Sequence, residues 1–152
     1  MDAVSLLPCL YAFVACLGFC VIYHIRGLGM VICGLGGTLG WLVYLLVSAA
    51  GGSVYFASFL AAVSGSVYSE TMARLRKCPV TGYLIVSIFP LVPGAGIYYT
   101  MDYFMWGQAE QGMQTGLQTL GIAGCLAVGV LLVSSAVRMY TVFQSRMRKN
   151  VK

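Results

Sequence analysis

Charge is scarce in this sequence. Only 9% of its 152 residues are Asp, Glu, Lys or Arg, while 60% are apolar. A soluble domain carries about 25% charged residues and is about 45–50% apolar. That excludes an ordinary soluble domain, and it equally excludes a disordered chain, which is polar and charge-rich. Catalytic signatures are missing too. There is no H-E-x-x-H, no G-x-S-x-G and no G-x-x-x-x-G-K-[S/T], hence no zinc-protease helix, nucleophile elbow or phosphate loop. His24 is the only histidine, so no Ser–His triad is available beyond one that uses it. The six cysteines form no C-x-x-C, the spacing a structural zinc site favours. The expectation is a protein without metal or cofactor that is not an enzyme.

What is present is long apolar sequence, with a mean hydropathy of +0.89. Residues 3–25, 27–69, 78–101 and 111–137 contain no Asp, Glu, Lys or Arg. A helix crosses the hydrocarbon core with about 20 residues. The second run is twice that, and Gly51, Gly52 and Ser53 near its middle signal a turn. Splitting it there predicts an all-α, polytopic membrane bundle of five spans, about 5–23, 28–49, 54–69, 82–101 and 117–140. Five spans use roughly 100 residues, so the chain reads as a single transmembrane domain over 1–152.

The basic residues orient it. With the C-terminus in the cytoplasm, Arg26 lies in one inner loop and Arg74, Arg76 and Lys77 in the next. Arg138, Arg146, Arg148, Lys149 and Lys152 lie at or beyond the inner end of span five. Asp2, Asp102 and Glu110 fall outside, and Glu70 is the one inner acid. The positive-inside rule therefore favours N-terminus out and C-terminus in. The net charge of +5 reads as topology and contact with anionic lipid rather than nucleic-acid binding. No basic n-region precedes span one, which reads as retained rather than cleaved.

Small residues run along the spans. Span three repeats Ser53, Ala57, Ala61, Gly65 and Ser69 at four-residue spacing. Span two carries Gly36 and Gly40, and span five Gly112 and Gly116. In lipid, helices associate through small residues that let backbones approach. Tight bundling explains most of these, and a subunit interface is the functional alternative.

Span four is broken. Pro90, Pro93, Gly94 and Gly96 fall inside one uncharged run. Each proline removes a backbone donor and clashes with the preceding turn. Irregular backbone at membrane depth is tolerated where it faces protein or a wet cavity. Transporters place such interruptions at the substrate site. The N–H groups near Gly94 and Gly96 suit a carboxylate, and Tyr99 and Thr100 have hydroxyls for a substrate. A kinked packing helix is the other reading. Tyr98, Tyr99, Tyr103 and Trp106 resemble an interfacial aromatic belt. Candidate coupling or gating groups are Glu70, Asp102 and His24. Glu70 also has Arg74 four residues on, a simple surface ion pair. Cys16, Cys20 and His24 share a helix face, but the cysteines read as small buried residues.

The run Phe89-Pro-Leu-Val-Pro-Gly-Ala-Gly-Ile-Tyr-Tyr-Thr-Met101 resembles the Pro-x-x-Pro-Gly signature of threonine/serine exporters. Gly34-Leu-Gly-Gly-Thr-Leu-Gly-Trp41 and the loop ending Lys77-Cys78-Pro79 fit the same family. The resemblance covers nearly the whole chain and matches the smaller, C-terminal type of domain. It implies one component of a two-component exporter in the bacterial cytoplasmic (inner) membrane, with a larger five-span subunit as partner. It further implies small hydroxy amino acids, or dicarboxylates such as succinate, as substrates, and the proton motive force as drive. A non-transporting membrane scaffold and a homo-oligomeric channel are the alternatives.

Overall fold

A computed structural model describes the backbone of residues 7–150 and the side chains of residues 7–143. Asp2 and Lys152, and the side chains of Arg146, Arg148 and Lys149, lie outside the described residues. Within them are six α-helices and no strand. They are α1 (Leu7–Ile22), α2 (Leu28–Ala49), α3 (Val54–Arg76), α4 (Val80–Ile88), α5 (Gly94–Met105) and α6 (Ala109–Asn150). A 3₁₀ turn, Phe89–Leu91, joins α4 to the approach of α5.

Among the described residues, α2 and the Ala109–Phe143 part of α6 are long and apolar enough to cross a membrane. Val80–Leu91 and Gly94–Met105 together make a third such segment, bent by 51°. α1 is apolar but only 16 residues long. α3 has 23 residues, a rise of about 35 Å, but its face is rich in serine and its last turns hold Glu70, Arg74 and Arg76. α3 and α6 both run past the apolar stretches 54–69 and 117–140, because a charge ends a membrane span without ending a helix.

Four helices stop in the same way. At the ends of α1, α2, α3 and α5, one residue adopts positive φ: His24 (55°), Gly51 (82°), Lys77 (53°) and Gly107 (73°). In each case the next N–H bonds five residues back. The pairs are Ile25 to Cys20 (2.9 Å), Gly52 to Val47 (3.0 Å), Cys78 to Ala73 (3.0 Å) and Gln108 to Tyr103 (2.9 Å). These are Schellman motifs, which satisfy the orphan carbonyls of a helix end. Two use glycine, which adopts this conformation freely. The other two place His24 and Lys77 there. Ser53 then opens α3 by accepting from the Phe56 N–H at 3.3 Å, an N-cap.

Packing fixes the relative directions of the helices. Along α2, Gly36 and Gly40 face Tyr68 and then Ala61, in descending order, so α2 and α3 are antiparallel. Gly29, Gly36, Gly37 and Gly40 face Tyr83, Ser87, Pro90 and Leu91, in ascending order, so α2 and α4 are parallel. Gly121 and Gly129 face Tyr55 and Ala62, and Thr141 meets Arg74, so α3 and α6 are parallel. Gly96 faces Thr119, Gly116 faces Thr100 and Gly112 faces Phe104, an antiparallel α5–α6 seam. The core is correspondingly small-residued: Cys16, Cys20, Cys33, Ala57, Ala61, Ala62 and Val86 are fully buried.

Candidate functional site

The break between α4 and α5 follows from its two prolines. In a continuous helix the N–H of residue 90 bonds the Val86 carbonyl. Pro90 has no N–H. The Val86 carbonyl accepts instead from the Cys16 thiol of α1, at 3.3 Å. α2 leaves room for this contact at Gly37: a Cβ there would collide with Cys16 Sγ and lie 3.3 Å from Pro90 Cγ. Pro93 likewise offers no N–H to the Phe89 carbonyl, which accepts from Val92 at 3.2 Å. Pro93, at φ −78° and ψ 56°, is the centre of an inverse γ-turn closed by Gly94 N–H to Val92 O at 2.8 Å. α5 starts there, with no side-chain cap on Pro93. The first intrahelical bond is Ile97 N–H to Pro93 O at 3.2 Å. The N–H groups of Ala95 and Gly96 precede it in the first turn and point out of the helix ladder.

Beside the break lies a cavity of about 300 Å³, lined by Pro8, Tyr11, Ala12 and Ala15 of α1, Trp41 of α2, and Pro90. Its size falls at the lower end of small-molecule sites, about 300–1,000 Å³. Among the described residues, Trp41 Nε1, Ser66 Oγ and Ser87 Oγ are buried without a hydrogen-bond partner. Other helical hydroxyls fold back onto the carbonyl four residues earlier: Thr38 (2.8 Å), Ser58 (2.8 Å), Ser69 (2.8 Å) and Thr119 (2.7 Å). Ser66 and Ser87 do not. An unmatched buried polar group costs about 1–3 kcal/mol; of the three residues, Trp41 lines the cavity. Ser87 is 1% exposed and its Oγ abuts Gly36, where a Cβ would collide with it.

The predicted site residues separate into groups. Pro90 lines the cavity, and Pro93 and Gly94 form the bend. Space beside Gly94 is open, whereas a Cβ on Gly96 would collide with Thr119 Oγ1. Thr100 donates to the Gly96 carbonyl at 2.6 Å and packs against Gly116. Gly96 and Thr100 therefore belong to the α5–α6 seam. Tyr99 is exposed and meets Tyr98 edge-on, with ring centroids 5.5 Å apart. Asp102 lies half-buried two turns into α5. Glu70 is 3.8 Å from Arg74, which also donates to Val137 O (3.4 Å) and Thr141 Oγ1 (3.2 Å) of α6. His24 is exposed, its Nδ1 3.1 Å from the Ile22 carbonyl. Glu70 and His24 thus sit with the basic loops, apart from the break. No group of three or more His, Cys, Asp or Glu among the described residues is placed to hold a metal ion.

Sequence reasoning passed over Ser87, Trp41 and the role of Cys16. Ser87 carried one usable signal, a hydroxyl three residues before a proline in an apolar run. The Cys16 contact spans 70 residues and carried none.

A family model described as Threonine/Serine exporter, ThrE matches residues 8–136. No match is found among curated proteins or among solved structures. The match covers most of the chain, including Arg26, Arg76, the cavity and the helix break, so the chain belongs to the threonine/serine exporter family, ThrE, which implies a transporter rather than an enzyme.

Proposed function

We propose that the chain is one subunit of a two-component secondary exporter in the bacterial cytoplasmic membrane. It forms one five-span domain over 1–152, N-terminus out and C-terminus in, and works with a larger five-span subunit of the same family. The alternating helix directions support this path, with α4 and α5 as one bent crossing. Arg26, in the α1–α2 loop, and Arg76, at the end of α3, line one cleft at one end of the bundle, as positive-inside sorting requires.

The observation that carries the reading is the break, with unpartnered Ser87 and Trp41 beside it. α4 spans 9 residues, about 13 Å of rise, which puts the break near the middle of a core about 30 Å thick. There the N-terminus of α5 turns its positive end and the Ala95 and Gly96 N–H groups toward a substrate carboxylate. Ser87 Oγ and Trp41 Nε1 supply the hydrogen bonds that a small polar substrate loses on leaving water. This chemistry suits threonine and serine, and small carboxylates such as succinate. Asp102 and Glu70, on opposite sides of the break, are the carboxylates for coupling to the proton motive force. His24, in the α1–α2 loop, is the remaining candidate.

Efflux of radiolabelled threonine, serine and succinate from cells tests the proposal. Efflux that requires both this chain and its partner, and stops on adding an uncoupler, supports a two-component proton-driven exporter. Efflux from this chain alone favours the homo-oligomeric channel, and none with either favours the scaffold.

A further inference from the structure

A second cleft, about 310 Å³, opens where the α1–α2 and α3–α4 loops meet. Arg26, of the α1–α2 loop, and Arg76, the last residue of α3, line it together with Ile25, Pro79, Gly82 and Tyr83. Among the described residues, no acid lines it. The helix ends beside both arginines are held by Schellman bonds, Ile25 to Cys20 and Cys78 to Ala73. Two helix N-termini border it, α2 after Gly27 and α4 after Pro79, and neither has a side-chain cap. Such ends favour anions.

We infer that this cleft binds the phosphate headgroup of an anionic phospholipid. Two guanidiniums on separate elements, the α1–α2 loop and the end of α3, clamp a phosphate with directed N–H bonds. The apolar floor suits the upper acyl chain and offers nothing to a free, hydrated ion. Basic pockets between helices at the cytoplasmic boundary are where anionic lipids lodge. The inference uses the orientation proposed above, which places the cleft at the inner leaflet, and it is separate from the export site at the break.

Cys78 lines the cleft and is the exposed cysteine of the six. This makes it a reporter. The full chain, purified in zwitterionic detergent with Cys125→Ala, is reacted with a water-soluble maleimide while phosphatidylglycerol, phosphatidylcholine or inorganic phosphate is added. Phosphatidylglycerol is expected to protect Cys78, and the other two are not. Removing each guanidinium, by Arg26→Gln or Arg76→Gln, should weaken protection about fivefold. Arg138→Gln, outside the cleft, should not. Gly82→Leu, which fills the cleft and keeps both arginines, should also abolish protection. Equal protection by inorganic phosphate or phosphatidylcholine would overturn the assignment, as would full protection in the arginine variants. Maleimide entry to Cys78 from outside intact cells would overturn the orientation alone and leave the lipid titration standing.

Discussion

The Cys16 thiol, on α1, lies 3.3 Å from the Val86 carbonyl oxygen of α4. That carbonyl is the one Pro90 leaves without its helical donor. A weak S–H donor from another helix therefore stabilises the break and ties it to the bundle. Cys16→Ala should destabilise the protein by about 1–3 kcal/mol, because a buried acceptor is left unmatched. Cys16→Ser, which keeps a donor, should cost less. In a Pro90→Ala background, where the helical N–H returns, Cys16→Ala should cost much less. Thermal melts of the four variants in detergent check the coupling.

Close approach, rather than glycine content as such, sets which glycines matter. A Cβ on Gly36 would collide with Ser87 Oγ, and one on Gly37 with Cys16 Sγ. Gly36→Ala and Gly37→Ala should each cost about 1–3 kcal/mol through overpacking. Gly18 and Gly124 have open space beside them. Alanine there should be neutral or should stabilise by up to about 1 kcal/mol, as helix propensity dictates. Melting temperatures in the same detergent rank the four.

His24 and Lys77 occupy positive-φ positions that glycine holds at the other two Schellman ends. A residue with a side chain there carries about 1–2 kcal/mol of conformational strain. His24→Gly and Lys77→Gly should each raise stability by about 1 kcal/mol, the strain relieved less the extra freedom of the unfolded chain. A fall in melting temperature for both would contradict the capping account.

Much of the helix layout was readable locally. The uncharged stretch beginning at residue 27 and the Gly51-Gly52-Ser53 turn mark α2, whose observed bounds are Leu28–Ala49. The ends of α3 and α6 were not, since Thr71, Met72 and Gln114 continue a helix as readily as apolar residues do. The candidate site was legible at Pro90, Pro93 and Gly94, where backbone chemistry is written in residue type. It was not legible at Ser87 and Trp41. Their unmatched polar atoms arise from packing between α2 and α4, and distance along the chain hides it. Nor does residue type show that the Cα of Gly96 and the side chain of Thr100 pack on α6, through Thr119 and Gly116, while the Gly96 N–H stays in the first turn of α5.

Ser87→Ala tests the hydroxyl at the break apart from the fold. The substitution removes an unpartnered buried oxygen, so stability should hold or rise, by up to about 1–3 kcal/mol. Export of threonine should nevertheless fall, about tenfold for one lost hydrogen bond worth about 1.4 kcal/mol. A rise in stability together with unchanged export would assign Ser87 to packing only.

The most direct measurement is threonine efflux by Gly94→Leu, compared with the unaltered chain at equal membrane abundance and with the proposed partner subunit present. Space beside Gly94 is open, so the helices should still insert and pack, while a bulky side chain obstructs the first turn of α5. Normal insertion with efflux abolished is the predicted result. Normal insertion with normal efflux would contradict the claim that the broken helix is where substrate binds.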